Sequence, residues 1–292
     1  MYHLVYVLLY LLSLLPLRLL YLLSDLIFLI MYHVARYRRA VVASNLLIAF
    51  PNKTIAERNK IEKRFYALFA DSFIETIKLI SITKAELERR ITGNFQLIND
   101  LYPSYPKVQI HSGHFFNWEF MNLACGSRLE HPFLGIYMPL SNNIMDRIMK
   151  KMRSRFGTIL IAAPEFRTSF HQYSQKEYAI GLIADQSTAN YNSARWHRFF
   201  GKPAPFVTGP EKGALRNNTA VVMVKFYRKK RGYYHADFSL LTAQPRETSD
   251  GFITKALITF IEQAVKEHPE NYLWTHRRWK HEFNAEVHQL LD

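Results

Sequence analysis

His114 and Glu119 stand five positions apart in the segment His111-Ser-Gly-His114-Phe-Phe-Asn-Trp-Glu119, directly after the apolar-alternating run 107–110. Neutral imidazole is the side chain best suited to take a proton from a hydroxyl near pH 7. A carboxylate bonded to its other ring nitrogen fixes the tautomer and stabilises the imidazolium as it forms. The spacing therefore reads as a general base, His114, with an orienting carboxylate, Glu119. His111 alternates with the strand and reads as a structural histidine facing away. A metal on His111, His114 and Glu119 would have suitable residue types, but the spacing is not that of a zinc-protease helix and no further ligand set accompanies it, so no metal is expected. The single Cys125 permits no intrachain disulfide and, on the apolar face of the following helix, reads as a small buried hydrophobe.

Such a pair needs a rigid edge to stand on. Beyond residue 94, short apolar runs alternate with helical stretches, predicting strands at 107–111, 132–137, 158–162, 178–184, 220–227 and 234–241. Helices are predicted at 117–126, 142–156, 165–173, 210–217 and 251–268. Strands alternating with helices of this length imply an α/β fold, a layered mixed, mostly parallel sheet flanked by helices, with the last two strands joined as a hairpin across Arg228-Lys-Lys-Arg-Gly232. In a parallel sheet, polar clusters at successive strand ends converge on one edge. Three clusters besides the histidine segment fit that pattern: 137–143 leading into a helix that ends at Arg153-Ser-Arg-Phe-Gly157, Asp185-Gln186-Ser187, and Trp274-Thr-His-Arg-Arg-Trp-Lys280. The plainer readings are a solvated helix residue for Arg153, an N-cap for Asp185 and core packing for Phe115, Phe116 and Trp118. The Arg228 to Arg231 run reads as an exposed turn that could touch lipid phosphates or an acidic protein.

The first thirty-four residues are dominated by Leu, Ile, Val, Tyr and Phe, broken by Pro16, Arg18 and Asp25. About 20 apolar residues cross a bilayer, so residues 1–35 are expected to form a membrane anchor, either one spanning helix or a hairpin in the interface. Residues 36–292 would then form the main domain, with a helical lead-in over 36–93 and an α/β core over 94–292. In the lead-in, one helix closes before Pro51, and another opens at Thr54 with Glu57 as its capping-box partner. Its packing face would be Ile61, Phe65, Leu68, Phe69, Phe73 and Ile77, with Glu75 and Lys78 elsewhere. The basic run Arg36-Tyr-Arg-Arg39 places the main domain on the cytoplasmic side, and a secretory signal lacks both its leading charge and its cleavage site. The formal charge of +14 attracts phosphates, anionic lipid or an acidic protein. No finger spacing or recognition helix accompanies it, so nucleic acid is not an expected partner.

In their order along the chain these blocks resemble a known family, the bacterial lipid A biosynthesis (late lauroyl/myristoyl) acyltransferases within the lysophospholipid acyltransferase superfamily. The resemblance is carried by Arg38-Arg39, Asn45-Leu46 with Phe50-Pro51, Ser-Gly-His114-Phe-Phe-Asn-Trp-Glu119, the stretches 137–140 and 153–157, Asp185-Gln186, Phe199-Phe200-Gly201 with Phe206 and Gly209, and the segment from Tyr272 to Lys280. It implies transfer of a fatty acyl group from an acyl-carrier-protein or coenzyme A thioester to a hydroxyl of a lipid A precursor, with no acyl-enzyme. It further implies His114 as base, Glu119 as its partner, and Arg153 and Asp185 as substrate-binding or oxyanion groups. The thioester is a co-substrate and no cofactor is implied. Partners would be membrane lipid, an acidic acyl carrier protein and the lipid A precursor, at the cytoplasmic face of a bacterial inner membrane. Glu119 departs from the Asp that many members of the superfamily carry and agrees with the lipid A branch. Direct thioester attack needs a base, oxyanion donors and a dry slot for the chain. Phe115, Phe116 and Trp118 would wall that slot, and Arg277 and Arg278, between Trp274 and Trp279, would grip headgroup phosphates. The same reaction on another lipid acceptor (a lysophospholipid, a mannosylated phosphoinositide or an aminolipid) and a non-catalytic membrane-binding protein of this fold are the alternatives.

Overall fold

The computed structural model describes residues 1–188, 191 and 194–291. In chain order its strands are β1 (Ile91–Gly93), β2 (Lys107–Ser112), β3 (Phe133–Tyr137), β4 (Ile159–Ala162), β5 (Tyr178–Ile183), β6 (Arg195–Phe199), β7 (Lys202–Phe206), β8 (Ala220–Lys230), β9 (Tyr233–Thr242) and β10 (Leu290–Leu291). The helices are α1 (Tyr2–Leu14), α2 (Leu17–Leu29), α3 (Arg39–Ala49), α4 (Ile55–Lys78), α5 (Lys84–Arg90), α6 (Gln96–Leu101), α7 (Trp118–Arg128), α8 (Asn143–Arg153), α9 (Phe166–Ser169), α10 (Gly209–Asn217) and α11 (Phe252–Glu267).

The main sheet runs β1-β9-β8-β2-β5-β3-β4 and is parallel except for the β8–β9 hairpin. This is the mixed, mostly parallel α/β layer expected from the alternation of runs, with all six anticipated strands in place. Side chains alternate across it. Val108 and Ile110 pack with Phe120, Leu123 and Cys125 of α7 on one face, while Val221 and Met223 pack with Ile253, Leu257 and Ile261 of α11 on the other.

Four of the ten strands were not expected from the sequence: the short β1, which pairs with β9 at the edge of the main sheet, and β6, β7 and β10. The β6–β7 hairpin, extended by β10, forms a small separate sheet. Pro203 and Pro205 mask β7, since proline removes ladder donors, and β7 tolerates them because it is an edge strand. The helix expected over 165–173 is broken into short turns around α9, preceded by Pro164.

The lead-in behaves as its punctuation requires at both ends. α3 stops at Ala49 before Pro51, and Thr54 with Glu57 forms the reciprocal capping box of α4. The face of α4 differs from expectation: Phe73 is exposed, whereas Asp71, Glu75 and Lys78 are buried. The cause is α2, which lies along α4 and covers that side. Tyr21 Oη donates to Glu75 at 2.8 Å, and Ser24 Oγ donates to Asp71 at 2.6 Å. Lys78 Nζ donates to the carbonyls of Ser13 and Leu15, which cap the end of α1. Arg228 and Arg231 of the hairpin turn back onto Asp71 at 2.8 and 2.6 Å, so two of the four cations expected in an exposed turn are anchored to a buried carboxylate, although Arg231 stays exposed. Glu75 also accepts from Tyr234 and from Asn117, the residue that caps α7. One buried carboxylate thus connects α2, β9 and the helix that follows the turn after β2.

Candidate active site

β2 and β5 are neighbours in parallel register, with Ser112 opposite Ile183. The positions two residues past each strand end, 114 and 185, therefore rise side by side at the C-terminal edge of the sheet. His114 Nδ1 lies 2.5 Å from Asp185 Oδ1, and the His114 backbone N–H donates to Asp185 Oδ2 at 3.1 Å. Burial alone would raise the fully buried Asp185 carboxyl. The charge of His114, the hydrogen bonds from its ring and backbone and one from the Tyr272 hydroxyl outweigh that, and hold it at about 2. Asp185 is therefore an acceptor, so Nδ1 carries a proton in either state of the ring, and in the neutral ring Nε2 is the nitrogen that keeps its lone pair.

The carboxylate bonded to the His114 ring is thus Asp185 and not Glu119. Glu119 is the second residue of α7, a helix that starts only at Trp118, so residues 114–117 form a turn and the two side chains share no helix face. Its carboxylate instead accepts a two-pronged bond from Arg153 at the end of α8: Nε to Oε2 at 2.9 Å and Nη2 to Oε1 at 2.5 Å. Trp118 Nε1 donates to the same carboxylate at 3.2 Å. The role expected for Asp185, binding substrate or oxyanion, does not fit a buried carboxylate pointed at imidazole. Arg153 does reach the cavity wall.

The turn that carries His114 is braced by the segment 271–273. Phe116 N–H donates to the Asn271 carbonyl at 2.9 Å, Leu273 N–H donates to the His114 carbonyl at 3.1 Å, and Phe115 and Tyr272 form an isolated bridge. Asn45 Nδ2 in α3 holds the carbonyls of Trp274 and His276, both at 2.8 Å. His276 Nε2 accepts from the Ser187 N–H at 3.0 Å, and burial depresses that imidazole to about 4, so it adds no competing cation beside His114. In the sequence, Tyr272 is only the first residue of the segment that runs to Lys280, with no role of its own. The period-2 bracing of the His114 turn was the signal, visible only once the two segments were paired.

His114, one fifth exposed, opens onto a cavity of about 870 Å³, within the size range of ligand sites. Its wall takes side chains from both faces of the sheet. Ile110, Ser112, Phe133 and Cys125 come from the α7 side, and Gln109, Ile180, Leu182 and Phe170 from the side of α10. The two parts meet at the sheet edge where His114 stands. Phe115 and Trp118 line it. Phe116 does not: it is fully buried against Phe65, Phe69 and Trp118. Arg278 is also buried, donating to the Pro205 carbonyl at 3.0 Å and stacked 4.2 Å over Phe206; desolvation lowers it to about 10. It grips no headgroup, and the exposed Arg277 lies outside the cavity wall. His111 is buried and bonded to Gln109, and desolvation depresses it to about 4, as suits a structural histidine. Burial pushes the Cys125 thiol up, although its side chain reaches the wall. The described residues contain no cluster of metal-ligating side chains.

Comparison with known proteins adds a family match along nearly the whole chain: the profile described as bacterial lipid A biosynthesis acyltransferase covers residues 1–281. The chain is similar to the lipid A biosynthesis palmitoleoyltransferase of Escherichia coli strain K12, 21% identical over 246 residues that make up 83% of this chain and 79% of that one. It is also similar to a lipid A biosynthesis acyltransferase of Haemophilus influenzae, 22% identical over 270 residues, 89% of this chain and 83% of the other.

Proposed function

The chain belongs to the bacterial lipid A biosynthesis acyltransferase family, and from that premise we propose that His114, oriented by Asp185, is the base that esterifies a hydroxyl of a lipid A precursor. The observation that carries this reading is a tautomer-fixed imidazole facing a large apolar cavity at the edge of a parallel sheet. The acceptor O–H gives its proton to His114 Nε2 as its oxygen attacks the thioester carbonyl. The tetrahedral intermediate then collapses, the C–S bond breaks, and the leaving thiolate takes the proton back from the imidazolium. The ionised Asp185 stabilises that imidazolium. Glu119 occupies the Nε and Nη2 side of Arg153, and the remaining edge of the guanidinium faces the oxyanion in this mechanism.

Direct transfer without an acyl-enzyme is supported by the state of the nucleophiles in the wall. Ser112 Oγ is committed to the Val224 carbonyl at 2.9 Å, and the Cys125 thiol is held protonated by burial. The donor is an acyl-carrier-protein or coenzyme A thioester, and both carry phosphate. Lys212 and Arg216, exposed and one turn apart on α10, place positive charge on the cavity wall. Lys212→Glu with Arg216→Glu is expected to raise KM for a phosphate-bearing substrate about tenfold or more with little change in kcat; unchanged KM for both donor and acceptor would remove these residues from recognition.

The reading as a whole is tested by incubating purified protein with a lipid A precursor and each thioester in turn, with mass spectrometry of lipid A from a deletion strain alongside. One added acyl chain in vitro and one missing chain in the strain are expected. An unchanged lipid A in the deletion strain rejects the acceptor, and the enzyme would then act on another lipid. The proposed setting is the cytoplasmic face of the inner membrane, where precursor and thioester meet.

A further inference from the structure

We propose that α1 and α2 do not cross the bilayer but lie along one leaflet, on a surface that continues through α8 to the mouth of the His114 cavity. This reading is independent of the chemistry assigned to His114. α1 rises about 20 Å over its thirteen residues, short of the ~30 Å hydrocarbon. Leu17–Val34 is long and apolar enough to span, but it is not free to do so. Along its middle, Tyr21, Ser24 and Asp25 are fastened to Glu75, Asp71 and Arg231. Arg231 also stacks 4.2 Å over Tyr21. The β8–β9 turn presses on the same place: Gly232 has φ 75°, and a Cβ there would stand 2.5 Å from the Tyr21 hydroxyl. A spanning α2 would either carry this ion-paired cluster to the bilayer midplane or strip α2 from α4. The first costs the desolvation of Asp25, Asp71 and Arg231, and the second leaves Asp71, Glu75 and Lys78 without the partners that α1 and α2 supply.

The same fastening sorts the apolar residues. α1 turns Val5, Tyr6 and Leu9 inward and leaves Leu4, Leu8 and Leu11 exposed, and α2 buries Leu17 and Leu20 while exposing Leu22, Leu26 and Leu29. Both helices therefore keep one apolar face on the protein and a second one free. Exposed cations stand on or next to these helices: Arg18 in α2, Arg36 and Arg38 shortly after it, and Arg147 and Lys151 in the neighbouring α8. Arg147 and Lys151 belong to α8 and stack on Tyr2 and Tyr6 of α1 at 4.0 and 4.1 Å, which joins the two helices edge to edge. The segment just before α8 exposes Met138 and Leu140, and both line the cavity. An apolar strip bordered by cations fits the headgroup and upper acyl region of an anionic leaflet. A lipid acceptor could then reach His114 sideways without leaving the membrane.

The test uses the full chain with Cys125→Ala and one of Leu8→Cys, Leu26→Cys or Met138→Cys at a time, each carrying an environment-sensitive fluorophore, added to vesicles rich in phosphatidylglycerol and containing lipids brominated at known depths. All three probes are expected to be quenched best by shallow bromines, with binding weakened by salt and by replacing phosphatidylglycerol with phosphatidylcholine. A cysteine at His3, probed in spheroplasts with an impermeant maleimide, is expected to stay unlabelled until lysis. Deep quenching at Leu26 together with labelling of His3 from outside would overturn the proposal in favour of a span. No quenching at Met138 would overturn its second half, the continuity between leaflet and cavity.

Discussion

Asp185→Asn is expected to lower kcat for acyl transfer by about 10²–10⁴, the range also expected for His114→Ala. The amide has the shape of the carboxylate but can present N–H to Nδ1, which would turn the ring to the tautomer whose Nε2 carries a proton and cannot act as base. It also withdraws the negative charge that stabilises the imidazolium in the transition state. Because Asp185 is buried and receives bonds from the His114 ring and backbone and from Tyr272, the fold of the variant must be verified by its unfolding temperature before the rate is read. The loss should appear in kcat with KM nearly unchanged, since Asp185 acts through His114 and does not line the cavity. A folded Asp185→Asn enzyme with near-normal kcat would dissolve the assignment. In that event, a folded Glu119→Gln enzyme with a collapsed kcat would restore Glu119 as the partner.

Glu119→Ala is expected to act first on stability, at about 3–5 kcal/mol, because it leaves the guanidinium of Arg153 largely buried without its counter-charge. The side chains are 6% and 17% exposed, so solvent does little to screen the pair. For a domain of this size such a loss lowers the unfolding temperature by on the order of 10 °C. The double variant Glu119→Gln with Arg153→Met should recover much of the loss, since removing both charges removes the uncompensated one. The recovered fold would still be slow in acyl transfer, because the proposed oxyanion donor is gone. Thermal melts of Glu119→Ala, of the single variants Glu119→Gln and Arg153→Met, and of the double variant form the measurement. A single Glu119→Ala variant as stable as the parent would mean that the ion pair does not hold α7 against α8.

Much of the architecture could be read locally. The strands at 107–111 and 178–184, the capping box at Thr54 and Glu57, the stop before Pro51 and the polar residues at strand ends all follow from periodicity and turn chemistry within a few residues of chain. His114 was legible for the same reason, since it follows a strand that local pattern defines, and Glu119 by its spacing from His114, whereas Arg153 and Asp185 lay in polar clusters at element ends and took their roles from the family resemblance. Local pattern failed where the partner was distant. β7 carries two prolines and exists only because β6 pairs with it, and the buried side of α4 is set by α2, some fifty residues earlier in the chain.

Which carboxylate serves His114 was a question of the same kind. Along the chain Glu119 is the near neighbour and Asp185 is seventy-one residues away. The sheet order reverses that distance, because β5 inserts beside β2 while β3 and β4 lie further out, and a parallel register then brings positions 114 and 185 to the same height. Sequence by itself determined the residue types able to do the chemistry and the edge they would share. The pairing among them was decided only by strand order, because hydrogen bonding between strands joins groups by position in the sheet and carries no memory of their separation along the chain.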